Sequence, residues 1–398
     1  MKILKVVDLG YQSGGAEIGI LELKNGFEKK GHIVKILSSD IQKGDKLERF
    51  NDFEFKAIKP SNPFKILLNL FNPYAYFKFK KILKEYNPDI VHLHTMQHIS
   101  PSILFALKKT PAVITIHGPE VFLKSLSLWT LLPNHFNGQE FSYKNLNIEG
   151  KLHYFYHVYI QRYVYKIGFK NIDLFIGISS FITELTKNEY SPVVNINNFV
   201  TLLNYKEIKF NNNLLFIGRI EKVKGIDYLI KAMPKIIEKF PDTKLTIAGT
   251  GGYFEELKNL IKILKLEKNI LIVGKVSHKN IEKLFHKTSI VIVPSTWPEA
   301  FGKVGVEAMS TGRPVIATKI GGIPEWLDNN KTGYLINTRN SDEIANKTIK
   351  LLSNRKLLKR FGKNARLKAK NYSVEKHILG LQKAYQSIIN NYEKKLSN

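Results

Sequence analysis

The sequence predicts an α/β chain of two doubly wound, parallel-sheet domains, and three observations carry that expectation. Short β-branched apolar runs alternate with helical stretches along the chain. A length of 398 residues exceeds one ordinary core and suggests two, at ~100–200 residues each. The residues suited to binding chemistry fall just after the strand-like runs, where open α/β sheets hold their ligands.

Strand-like runs in the first half are residues 3–7, 34–37, 90–93, 113–116 and 174–178, and a second series begins at 214–217. Two stretches depart from this scheme. Residues 64–84 are aromatic and basic, and residues 151–170 read as a helix carrying Tyr154, Phe155, Tyr156, Tyr159, Tyr163 and Tyr165. Such rings either pack on the first sheet or sit at a membrane interface or acceptor cleft. A linker is expected near 200–212, where Lys, Asn and Thr replace apolar periodicity. Ser373 is placed to cap a last helix running to about Asn391. The expected division is 1–200, 201–372 and a terminal helix over 373–398.

Composition narrows the classes. With 43% hydrophobic and 24% charged residues the chain can bury two cores and is not disordered. It has no cysteine, which excludes disulfides and thiolate chemistry. No apolar stretch approaches the ~18 residues of a membrane span. The formal charge is +27, and residues 199–398 hold 36 of the 61 basic side chains. A coding bias toward Lys gives such a charge, and so does attraction to an anionic membrane, where each nearby Lys or Arg adds ~1 kcal/mol. No module of interleaved aromatic and basic residues for nucleic acid is evident, and none is expected as a partner.

The most informative segment is 294–325, PSTWPEAFGKVGVEAMSTGRPVIATKIGGIPE. The apolar run 289–293 before it reads as a buried parallel strand stopped by Pro294. Gly302 precedes a helical pattern closed by Gly312 and Pro314. The amides of Gly302, Lys303 and Val304 should then form a helix N-terminus that favours an anion such as phosphate. Glu307 lies about one turn further, and Glu299 reaches the same place from the loop, with Ala300 and Phe301 between. Carboxylates beside a phosphate are unfavourable unless they hold hydroxyl groups. A phosphate flanked by two polyols is a nucleotide sugar.

The Glu299–Glu307 block resembles the E-x7-E signature of the retaining glycosyltransferases of the GT-B fold (family 4, group 1), and the resemblance spans nearly the whole chain. Phe216, Ile217, Gly218 and Arg219, followed by Glu221, Lys224, Gly225 and Asp227, resemble the family's diphosphate-gripping motif. Residues 245–252, LTIAGTGG, resemble its strand and glycine loop around Gly249, with Gly252 where proline is usual. Ser13, Gly14, Gly15, Ala16 and Glu17 resemble the first strand-loop-helix unit, and 89–94 and 113–118 match two further strands, the second carrying the active-site histidine, His117. Residues 198–201, NFVT, depart from the Asn-Gly-Val-Asp of the domain junction.

The resemblance implies two Rossmann-like domains facing a cleft and transfer of a sugar, with retention, from a UDP- or GDP-sugar to a glycan or lipid-linked acceptor. It implies that Arg219 and Lys224 hold the diphosphate, Glu299 the donor sugar, Glu307 the ribose and His117 the sugar near the reacting carbon. Gly14, Gly15, Gly218 and Gly249 would admit the donor closely. No Asp-x-Asp pair is present, so the expectation is a metal-independent reaction with no cofactor. His92 and His94 share one strand face and are expected to be structural. The expected setting is the cytoplasm, peripheral on the inner membrane face. An inverting GT-B transferase would need a carboxylate base in the first domain, and none there has such a setting. A basic, non-catalytic binder on the same fold is the remaining alternative.

Overall fold

Runs of β-branched and aliphatic residues such as Ile90–Leu93, Ala112–Ile116 and Ile290–Val293 become strands buried on both faces, as the inner strands of a parallel sheet are. A computed structural model describes residues 1–11, 15–41, 48–58, 64–95, 99–118 and 147–397. Among them, β1 (Lys2–Leu9), β2 (Ile33–Ser39), β3 (Phe53–Phe55), β4 (Ile90–Leu93), β5 (Ala112–Ile116), β6 (Leu174–Gly177) and β7 (Val193–Asn195) form one parallel sheet. Its order is β3-β2-β1-β4-β5-β6-β7, which reverses direction between β1 and β4. A second parallel sheet contains β8 (Leu214–Ile217), β9 (Leu245–Ala248), β10 (Ile270–Gly274), β11 (Ile290–Val293), β12 (Val315–Thr318) and β13 (Gly333–Ile336). Its order, β10-β9-β8-β11-β12-β13, reverses between β8 and β11. Both are doubly wound parallel sheets, as the sequence predicts.

The chain divides into two units, Met1–Asn197 with Val374–Asn398, and Asn198–Ser373. In the first, the helix Val374–Ser397 runs six residues past the expected end and completes the core. Its Tyr385 is fully buried and stacks on Phe27 of the helix Gly15–Glu28, with centroids 5.6 Å apart. Under that pair lies Lys5 of β1, also fully buried. Its ammonium is 3.3 Å from His92 Nδ1 and 3.4 Å from His94 Nε2, on the strand beside it.

Both aromatic stretches are helical and two-sided. Residues 65–86 form two helices, Lys65–Leu70 and Pro73–Tyr86, because Asn72 caps the Ala75 amide at 3.2 Å and Pro73 suits a first turn. Phe79 and Ile82 are buried there, while Phe64, Ile66, Leu67 and Phe77 are exposed. The tyrosine-rich stretch is the helix Ile148–Phe155, a π-helical segment Tyr156–Gln161 and the helix Arg162–Gly168. Val158 and Tyr165 face the core, whereas Tyr159 and Tyr163 face outward.

In the second unit, residues 201–213 carry neither helix nor strand, in keeping with their polar composition, yet they are no loose tether. The fully buried Arg313 donates to the Lys206 carbonyl at 2.7 Å and also to Thr288, Thr311 and His286 carbonyls. Arg366 donates to the Leu203 carbonyl at 3.0 Å. A buried guanidinium must fill its five N–H donors, and carbonyls of an irregular segment do so.

Lys5 makes the first unit sensitive to pH. Burial alone pulls its ammonium from the ordinary 10.5 to about 7. An unfolded chain therefore binds more protons between those values, so stability rises with pH across that window. His92 and His94 are held well below 6.5, mainly by burial, so acid destabilises through them as well. Replacing Lys5 by Met should raise the melting temperature most at or below pH 7, and scanning calorimetry should show that gain shrinking toward pH ~10.

Candidate functional site

In the second unit, the switch point between β8 and β11 brings two loops together, and main-chain contacts fix their spacing. Gly225 has φ of 65° and lies so near Pro294 that a Cβ would fall 2.1 Å from its carbonyl oxygen. The Thr296 amide donates to the Val223 carbonyl at 2.9 Å. On the other side of β8, Gly249 has φ of 149° and packs on Gly218, where a Cβ would be 1.8 Å from the carbonyl oxygen. Only glycine permits such approach of backbone to backbone.

Those loops carry the candidate side chains. Lys224 Nζ lies 2.7 Å from Glu299 Oε1, and Ser295 Oγ donates to the same oxygen at 2.5 Å. Both side chains of the ion pair are mostly buried, so the pair is weakly screened. Thr318 at the end of β12 donates to the Ser295 carbonyl at 2.7 Å, and the Gly322 amide donates to the Glu299 carbonyl at 2.8 Å. Arg219 is not part of this pair. Its guanidinium is 72% exposed and binds Glu221 at 2.6 Å on its own loop.

Gly302, with φ of 85°, is the N-cap of the helix Lys303–Ser310. Trp326 seats that helix. Its indole N–H donates to the Phe301 carbonyl at 2.5 Å, and Gly305 lies so close to the ring that a Cβ would be 2.1 Å from it. Phe301 is buried against Tyr372, so its side chain serves packing. Ala300, Val304 and Glu307 are half-buried, with Glu307 one turn into the helix, and Lys303 Nζ lies 4.6 Å from the Phe199 ring.

In the first unit, His117 follows β5, and its Nε2 lies 2.9 Å from His94 Nδ1. His92 Nε2 is 2.7 Å from Thr115 Oγ1, and its Nδ1 meets the Tyr385 hydroxyl. Burial pushes that phenol well above its ordinary range. Gly15 opens the helix Gly15–Glu28, while Gly14 lies outside the described residues.

Ser295 and Lys5 were not singled out from sequence as site residues. Ser295 had a signal, a small hydroxyl four residues before Glu299 in the same loop. Lys5 also had one, a charge in the middle of the apolar run 3–7.

Comparison with known proteins finds matching family models, related sequences and the same fold. Residues 13–202 match the family described as Glycosyltransferase Family 4, and residues 205–368 match Glycosyl transferases group 1. An uncharacterized glycosyltransferase of Methanocaldococcus jannaschii is 28% identical over 321 residues, 79% of this chain and 80% of that one. The N-acetyl-alpha-D-glucosaminyl L-malate synthase of Bacillus anthracis is 24% identical over 392 residues, 91% of each chain. Anabaena HepE, crystallised with UDP, shares the fold with a TM-score of 0.73 at 19% identity, over 97% of this chain and 100% of that one.

Two glycines should respond very differently to the same substitution. Gly225→Ala meets the Pro294 carbonyl at positive φ and should destabilise the second unit by ~2 kcal/mol or more. Gly252→Ala meets nothing within 4 Å and should stay within ~0.5 kcal/mol of the parent in urea unfolding.

Proposed function

The chain belongs to the retaining glycosyltransferases of family 4, group 1, which use nucleotide-sugar donors, and we propose that its donor is a UDP-sugar and its acceptor a hydroxyl of a glycan or lipid-linked intermediate. The observation that carries the assignment of roles is the Lys224–Glu299 pair at the β8–β11 switch point. A cation and a hydroxyl-binding carboxylate side by side match the junction of diphosphate and sugar in such a donor. HepE supports the choice of uridine, since its structure holds UDP.

In this reading Lys224, Arg219 and the amides at the start of Lys303–Ser310 hold the diphosphate and stabilise the charge that grows as the sugar–phosphate bond breaks. Glu299 fixes sugar hydroxyls, with Ser295 orienting its carboxylate, and Glu307 takes the ribose. His117 lies by the sugar near the reacting carbon, and Gly15, Gly218 and Gly249 let the donor approach closely. The acceptor oxygen attacks the face that the diphosphate leaves, and a donor phosphate oxygen takes its proton, so configuration is retained. Arg219→Ala and Lys224→Ala should each lower transfer by a factor of ~100 with circular dichroism unchanged. Parental turnover of UDP-sugars in both variants would remove the diphosphate from these residues.

The acceptor side is read from the first unit. Exposed Phe64, Ile66, Leu67, Phe77, Tyr159 and Tyr163 lie on helices that also expose Lys80, Lys81, Lys84, Lys166 and Lys170. The Tyr156 hydroxyl donates to the Ile66 carbonyl at 2.9 Å and joins the two helical stretches. Among the described residues no helix is long and apolar enough to cross a membrane. Rings with neighbouring lysines suit an anionic lipid surface, and a lipid-linked acceptor would be found there. The protein should sediment with anionic but not neutral vesicles, less so as salt rises, and the Tyr159→Ser, Tyr163→Ser double variant should bind more weakly. Equal, negligible sedimentation with both lipids at low salt would leave a soluble acceptor.

A further inference from the structure

Lys5 is a fully buried cation whose near partners are imidazoles and an aromatic ring. Its Nζ lies 3.3 Å from His92 Nδ1, 3.4 Å from His94 Nε2 and 5.4 Å from the Phe27 centroid. Among the described residues no carboxylate forms an ion pair with it. Other titratable groups around it are His117 beyond His94, and Tyr385 and His377 on the C-terminal helix. An ammonium only donates, whereas a neutral imidazole donates from one nitrogen and accepts at the other. This rule sets the direction of the bonds that run from Lys5 through His94 to His117.

With Lys5 protonated, His94 Nε2 must accept from it, so His94 Nδ1 carries a proton and donates it to His117 Nε2. His117 then accepts at Nε2 and is neutral, with its own proton on Nδ1. His92 likewise accepts at Nδ1 and donates from Nε2 to Thr115 Oγ1. If Lys5 were neutral, its lone pair could accept from His94 Nε2. The whole relay could then reverse, giving His117 an Nε2 proton and access to the doubly protonated, cationic form.

We propose that Lys5 is a positioning residue that, through His94, keeps His117 neutral and in the Nδ1–H tautomer. The proposal rests on the reading that His117 lies beside the donor sugar. Its chemical value there is electrostatic. Retaining transfer passes through an oxocarbenium-like sugar, and a cationic imidazolium next to developing positive charge would raise the barrier, whereas a neutral ring can donate to a sugar oxygen without that penalty. A buried ammonium two bonds away excludes the second proton from His117. Burial brings Lys5 to about 7, so the relay is poised to change near neutral pH.

The test reads tautomers directly. Nitrogen-15 NMR of the histidine rings in the full-length parent at about pH 6 should show His117 and His94 protonated at Nδ1 and His92 at Nε2. In Lys5→Met the His94 and His117 patterns should change. The step in kcat/KM that accompanies Lys5 ionisation near pH 7 should also vanish, with the acceptor KM unchanged. His117 protonated at Nε2 in the parent at about pH 6 would overturn the proposal, and this measurement needs no variant to fold. So would parental tautomers and an unchanged pH profile in a folded Lys5→Met. His117→Ala separates the two layers. Full activity in it would discard the placement of His117 by the sugar, whatever the tautomers show.

Discussion

The second unit depends on backbone touching backbone at the β8–β11 switch point. Gly225 against the Pro294 carbonyl and Gly249 against the Gly218 carbonyl set loop distances that no side chain could adjust. Lys224 and Glu299 then need no search to meet, and Ser295 and Thr318 hold the carboxylate side by hydrogen bonds to side chain and main chain. Preorganisation of this kind places donors where charge develops and spares reorganisation at the moment of reaction. Trp326 does the same for the helix at Gly302, through one hydrogen bond and one ring face.

Three cations lose water in three ways, and the difference separates roles. Arg313 is surrounded by carbonyls, and burial draws it down to about 10, so it remains charged and knits an irregular segment to the sheet. Lys224 sits by a carboxylate, a partner that a phosphate could replace at little electrostatic cost. Lys5 has neither carbonyl ladder nor carboxylate, only imidazoles whose tautomers adjust to it. Structural, exchangeable and proton-directing cations thus differ in the acceptors around them more than in depth of burial.

Most of the architecture was legible because parallel strands buried on both faces are uninterrupted apolar runs, as at Ile90–Leu93 and Ile290–Val293. β3 and β7, at three residues each, are too short to show a pattern. The Glu299 loop and the helix start at Gly302 could be read because proline and glycine mark turns locally. The Lys5 relay could not, since its members are drawn from β1, β4, the end of β5 and the last helix, and only tertiary structure brings position 5 to 92 and 92 to 385. The aromatic helices were ambiguous in sequence because Tyr159 and Tyr165 look alike there. One is exposed and the other buried, and the intervening π-helical segment shifts the faces that a plain 3.6-residue period would assign.

The first unit is discontinuous in sequence, with Val374–Asn398 returning to Met1–Asn197. During synthesis the ribosome must therefore deliver the whole second unit before the nascent chain holds Tyr385, the ring that covers Phe27 and meets His92. Until then Lys5 and its histidines lack their lid, and water can reach an ammonium that the finished fold strips of solvent. The second unit has no such debt to a later segment and can close first. Residues 1–197 alone would leave Phe27 and His92 without Tyr385, whereas residues 198–373 hold the whole of their own unit in one continuous stretch.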